Sequence, residues 1–247
     1  HCAGLCAAAK VVMHGATVAG QVVNCAGAGR WLMLDEATVE EVAACYHAPL
    51  LAAANMCRAF TADMKSRHAG AFVQVQSPGG VTSWGGSTAY ISARWALRGL
   101  TLALQADLRD TGIQVQEVML PEVDSGYWLH NPGSRQRVPW LGKLLGVPTI
   151  SARKAAVYVA RAIESRAAFS CFGGALPLMT ELNLLLPRFI SRLISWSACS
   201  YSRCSRHTQT RHAAMKRHAC HAAMRTRIKT ACPRLHYRLL TLCPAAY

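Results

Sequence analysis

Short β-branched runs alternate with longer helix-periodic stretches along this chain, and that alternation leaves few folds open. QVVN (21–24), AFVQVQS (71–77), IQVQEVML (113–120) and an apolar run near 168–173 read as strands. Between them, apolar positions recur at helical spacing over 36–67, 87–110 and 151–166, and a last apolar helix follows the fourth run. Pro49 is expected to break the first of these stretches into two helices. An Ala-rich stretch around residues 8–24 reads as helix giving way to the first strand. Strands joined by helices pair in parallel through right-handed crossovers, so the expected fold is α/β with a doubly wound parallel sheet. Chemistry in such sheets collects outside the carboxyl ends of the strands, here Asn24, Ser77 and Leu120–Ser125.

The formal charge of +15 suggests affinity for polyanions until it is located. Residues 198–247 carry 10 Lys and Arg and no acid, which leaves 17 basic and 12 acidic groups in the rest. Two regions follow: a folded domain over 1–197, and a low-complexity basic tail over 198–247 that is expected to be disordered. A hydrophobic fraction of 52% with 16% charged residues lets the larger region bury a core. The 11 cysteines are odd in number, and Cys2, Cys6, Cys25, Cys45, Cys57 and Cys171 lie in apolar or Ala-rich surroundings, which points to reduced thiols and a cytoplasmic location. No C-x-x-C pair exists. Cys199, Cys204, His207 and His212 come nearest to zinc-ligand spacing but lack apolar positions to pack behind a metal, so no metal site is expected.

Ser77 closes the second strand, Tyr90 stands 13 residues later in the first turn of a helix, and Arg94 follows at i+4, so one helical face presents a phenol and a cation together. With the N-x-A-G loop Asn24-Cys25-Ala26-Gly27, and with Leu120-Pro121-Glu122-Val123-Asp124-Ser125 after the third strand, this pattern resembles the short-chain dehydrogenase/reductase family over about residues 8–197. The resemblance implies a Rossmann-like sheet, a bound NAD or NADP, and hydride transfer between the nicotinamide and a carbonyl or alcohol. It further implies that Tyr90 donates the proton, Ser77 orients the substrate oxygen and Arg94 supplies the cation that lowers the phenol's pKa. The cofactor would meet Asn24, Ala26, Gly27, Tyr90, Arg94, Val123 and Ser125.

The chain departs from the family in three places. Arg94 stands where the family has Lys, and a guanidinium is bulkier and flatter than an ammonium. Cys45 falls at the register of a helix Asn that many members use, while Asn55 is out of register, and no residue takes that role. The pyrophosphate-binding T-G-x-x-x-G-x-G turn is missing, and the 23 residues before Asn24 cannot hold the βαβ units that precede N-x-A-G in the family. The expectation is an N-terminally truncated member that holds NAD(P) weakly and is inactive by itself.

Trp84, between Ser77 and Tyr90, is placed as a substrate contact, and with Trp128 and the apolar last helix it suggests an apolar small-molecule substrate. Tyr127 and His130 fall in the family's variable lid region but are explained equally well as surface-loop residues. The stretch LPLMTELNLLLPRFISRLISW is interrupted by Glu181, Asn183, Pro187, Arg188 and Arg192, so it does not span a membrane. Leu182, Leu185, Leu186, Phe189, Leu193 and Trp196 form one apolar stripe, and residues 178–196 can lie on a membrane surface, cover a hydrophobic pocket or pack on their own domain. Assembly into a homo-oligomer is left open. The alternative function is non-catalytic binding of nucleic acid or anionic membrane through the basic tail, with nucleic acid disfavoured because the tail has few aromatics.

Overall fold

The computed structural model describes residues 20–198. The readings of an N-terminal helix before residue 20, and of the basic tail and its Cys/His cluster beyond 198, lie outside the described residues.

Four parallel strands form the main sheet in the order β1 (Gln21–Asn24), β2 (Gly70–Gln76), β3 (Ile113–Met119) and β6 (Phe169–Cys171). All four correspond to strands expected from the sequence. Helices cover both faces, as a parallel sheet requires. On one face α2 (Ala52–Ser66) packs Cys57, Phe60 and Met64 against Val22, Phe72 and Val115, beside Leu108 at the end of α3 (Thr88–Asp107). On the other, α6 (Ala152–Ser165) lays Ala155 and Ala162 against Val73, Val118 and Leu120. Phe72 and Val73 thus serve opposite faces of one strand, by the two-residue period of the pleat.

Local chemistry sets the helix ends. α1 (Val39–Tyr46) opens with a capping box, in which Thr38 Oγ1 accepts from the Glu41 amide at 3.2 Å and Glu41 accepts from the Thr38 amide at 3.0 Å. The break expected at Pro49 takes the form of a widened π turn over His47–Leu51 that carries the chain straight on into α2. α6 starts at Ser151, whose hydroxyl accepts from the Lys154 amide, and stops at Arg166 in the left-handed region (φ 59).

A second, two-stranded sheet, β4 (Glu122–Asp124) beside β5 (Thr149–Ser151), was not legible in the sequence, because neither segment sits in an apolar run like the one that marks the equally short β6. Two short helices, α4 (Tyr127–His130) and α5 (Trp140–Leu144), lie in the connection between them. The last apolar helix divides at Leu186 into α7 (Leu176–Leu185) and a helical run over 187–198, α8, with Pro187 at its first position.

Candidate functional site

The site lies where β2 and β3 end. After Gln76 the chain enters a one-turn 3-10 helix over Pro78–Gly80, capped by Ser77, whose Oγ accepts from the Gly79 amide at 3.2 Å. α3 then returns with Tyr90 and Arg94 facing inward, 6% and 8% exposed. Gly79 marks the convergence. A Cβ placed there would lie 3.2 Å from Tyr90 Cε1, 3.4 Å from the Trp84 ring and 3.6 Å from Ser77 Oγ, so the three predicted side chains surround one glycine.

Arg94 sits under the phenol, its guanidinium carbon 5.3 Å from the Tyr90 ring centroid. Its Nη1 donates to the Val75 carbonyl at 3.1 Å, and its buried Nε–H has no partner among the described residues. Gly27 lies against the same guanidinium: a Cβ there would stand 2.7 Å from Nη2. Gln76 ties the two halves together, donating to the Arg94 carbonyl at 3.0 Å while its Oε1 accepts from the Ser77 amide at 3.0 Å. The buried glutamines of β2 break the apolar run of a two-sided strand, and that alternation was the signal that could have singled out Gln76.

A cavity of about 910 Å³ opens over these groups, lined by Gly27, Ser77, Trp84, Tyr90, Arg94, Val123 and Ser125 among others. Asn24 and Ala26 do not line it, and the Asn24 amide turns toward Cys57 Sγ at 3.8 Å. The sequence reading missed Trp31. Its indole lies 4.9 Å from the Tyr90 ring, 5.4 Å from Trp84 and 5.6 Å from Trp128, centroid to centroid. Trp31 Nε1 donates to the Tyr127 hydroxyl at 3.0 Å, which in turn donates to the Gly29 carbonyl at 2.8 Å. Burial, with the neighbouring Tyr90 adding to it, pushes the Tyr127 phenol well above its ordinary value, so it stays a neutral hydroxyl able to make both bonds. Tyr127 is therefore part of the cavity wall, half-buried rather than a loop residue on the surface. The Trp31 backbone is pinned across the cavity by Ser134 Oγ, which accepts from its amide at 2.9 Å.

Chemically, the cavity offers a phenol and a hydroxyl side by side, a buried cation beneath, and an apolar aromatic roof. The buried Trp84 indole N–H also has no partner among the described residues. Such a constellation can polarise one oxygen of an otherwise apolar molecule and pass it a proton. No cluster of three or more metal-ligating side chains occurs among the described residues.

The family model for short chain dehydrogenases matches residues 7–131. A 3-ketodihydrosphingosine reductase from Bos taurus is 35% identical over 107 residues, 42% of this chain and 31% of that protein. Oxidoreductase BOA17 from Botryotinia fuckeliana is 27% identical over 130 residues, 53% of this chain and 43% of that protein. The chain thus spans less than half the length of these relatives. Among solved structures, a short chain dehydrogenase/reductase from Burkholderia phymatum in complex with NAD superposes with a TM-score of 0.64 at 19% identity, covering 76% of this chain and 74% of that one. With four parallel strands, a Ser–Tyr pair at their carboxyl ends and a family match over more than half its length, the chain belongs to the short-chain dehydrogenase family.

Proposed function

We propose that this chain carries the substrate-binding and proton-transfer part of an NAD(P)-dependent carbonyl reductase or alcohol dehydrogenase. The observation that carries the reading is the meeting of Ser77, Tyr90 and Trp84 around Gly79, with Arg94 beneath the phenol. The residues suit the nicotinamide-ribose end of the cofactor: Arg94 has a buried Nε–H to spare, and Gly27 leaves the space against it free of a side chain. The pyrophosphate end finds no glycine-rich turn of the family pattern in this sequence, so the 247-residue chain alone holds the cofactor weakly. When bound, the cofactor supplies or accepts the hydride.

Ser77 donates a hydrogen bond to the substrate oxygen and holds it beside the Tyr90 hydroxyl. Tyr90 gives that oxygen its proton in reduction and takes it back in oxidation. Arg94, anchored on the Val75 carbonyl, places positive charge next to the phenol, where negative charge develops during the transfer. The walls of Trp31, Trp84, Trp128, Met179 and Ile194 exclude water and select an apolar molecule bearing one keto or hydroxyl group. The name of the bovine relative, a keto-lipid reductase, agrees with that class.

The test is NADPH- or NADH-dependent reduction of apolar ketones by the complete polypeptide in which these residues occur. Tyr90→Phe is expected to lower kcat by about a hundredfold or more with cofactor affinity nearly unchanged. Full activity in Tyr90→Phe would overturn the assignment. Calorimetry of the 247-residue chain with NADH and NADPH is expected to show weak binding or none.

A further inference from the structure

We infer that the outward face of α7 and α8, joined by Trp140, Leu144 and Leu145, is a docking surface for an anionic lipid bilayer. These elements are apolar on two sides. Inward, Leu176, Met179, Ile190 and Ile194 pack on the apolar clusters around the cavity. Outward, Leu185 is 75% exposed, Phe189 64%, Trp196 63% and, from α5, Leu144 70%. One apolar side suffices to fold a helix onto its domain, so the second calls for an occupant.

The chemistry of that second side selects the occupant. On α8 the helical period puts Phe189, Leu193 and Trp196 in one stripe and the exposed Arg188 and Arg192 along its flank. Trp140 and Trp196 meet edge to face at 5.7 Å and bind the α5 segment to the stripe. Indoles and arginine side chains bordering an apolar stripe match the headgroup layer of a bilayer, where an indole lies with its N–H wet and a guanidinium meets phosphate. Glu181 is the exposed acid of α7, one turn from the stripe, and Lys143 is already paired with Glu122 at 3.2 Å. A second copy of the chain fits less well, because a two-fold contact through this face would gather four exposed arginines with only the two Glu181 carboxylates of α7 to offset them. Among the described residues no helix is long and apolar enough to cross a membrane.

Docking here has a geometric consequence. Gly142 and Lys143 of α5 and Ile194 of α8 line the cavity, while Trp140, Leu144 and Trp196 of the same elements face outward. One wall of the cavity and the docking face are two sides of one pair of helices, so docking sets the cavity against the bilayer surface. The docking itself does not depend on the redox reading.

The experiment is co-flotation of the 247-residue chain with phosphatidylcholine vesicles, with and without phosphatidylserine. Binding is expected only to the phosphatidylserine vesicles. Arg188→Gln and Arg192→Gln, both at exposed positions that leave the fold intact, are each expected to weaken it about fivefold, and Phe189→Ser with Trp196→Ser to abolish it. Two results would overturn the inference: flotation unchanged in all four substitutions, which would place binding elsewhere, such as the basic residues beyond 198, or a dimer that these substitutions dissociate in place of vesicle binding. Circular dichroism of the double serine variant guards against loss of fold, and the arginine variants decide the matter if it does not fold.

Discussion

The indole of Trp31 lies over the ring of Tyr90, their centroids 4.9 Å apart and their planes tilted by 38°. The residue assigned proton transfer is thus walled by an aromatic from the loop after β1, a part of the chain 59 positions away in sequence. The same indole touches Trp84 and Trp128 and is 6% exposed, so it ties the loop after β1 to α4.

Trp31→Ala is expected to destabilise the domain by about 3–5 kcal/mol, since it removes a buried indole and leaves a cavity between three aromatic rings. Urea denaturation followed by circular dichroism measures the loss, and Trp31→Phe should recover part of it. A change within experimental error for Trp31→Ala would show that the loop is not packed as described.

Tyr127→Phe deletes a hydroxyl that accepts from Trp31 Nε1 and donates to the Gly29 carbonyl. Both partners are then left short of a hydrogen bond in a half-buried place, and the cost is expected to be about 1–3 kcal/mol. The tyrosinate form is suppressed by burial, so alkaline difference absorbance should show one tyrosine fewer titrating late when wild type is compared with the variant.

The glycines of the first loop separate by mechanism. Gly29 has φ 111 and its α-carbon faces Cys45 Sγ, so Gly29→Ala combines backbone strain with a clash against a fully buried thiol and should cost more than about 2 kcal/mol. Gly27→Ala meets only the far end of the Arg94 side chain, which can shift. Its expected effect is therefore small on urea stability and larger on cofactor affinity in the complete polypeptide, and a stability loss equal to that of Gly29→Ala would contradict this.

Glu117 is 2% exposed, and both its oxygens accept from Arg98 Nη1 at 3.0 Å. Burial raises its carboxyl pKa above the ordinary 4.5, with Arg98 opposing the shift. The folded state then binds the proton more tightly than the unfolded one. Its contribution to stability is present below 4.5 and is lost as pH rises through the raised folded value. Relative to Glu117→Gln, wild type should therefore lose stability as pH is raised over that window, measured as the difference between the two urea-denaturation curves. Glu117→Ala, which strands Arg98, is expected to cost about 3–5 kcal/mol at neutral pH.

Much of the architecture was legible because it is encoded at short range. The four strands of the main sheet are short runs of β-branched or apolar residues bounded by turns, and α3 and α6 carry the helical period, so the parallel sheet could be read without coordinates. The Ser77, Tyr90 and Arg94 spacing was legible for the same reason: a strand end and one helical turn fix where such residues point. β4 and β5 escaped because neither three-residue segment sits in an apolar run, as the equally short β6 does. Pro49 was read as a break because a proline lacks the amide donor, whereas a π turn accommodates it without ending the helix.

By itself, then, the sequence determined the parallel sheet and its strand ends, which follow from the period of each element, and put the phenol and the cation on one helical face, while their pairing with the Ser77 hydroxyl rested on the resemblance to the family. Tertiary structure alone decided what surrounds them. Trp31, Tyr127 and Ser134 meet across about a hundred residues of chain, and no local pattern announces such a contact. The same holds for the stripe on α8: its period shows that a helix is apolar on more than one side, but only packing chose Ile190 and Ile194 for the interior and left Phe189 and Trp196 outside, because burial depends on what the rest of the chain brings to each face.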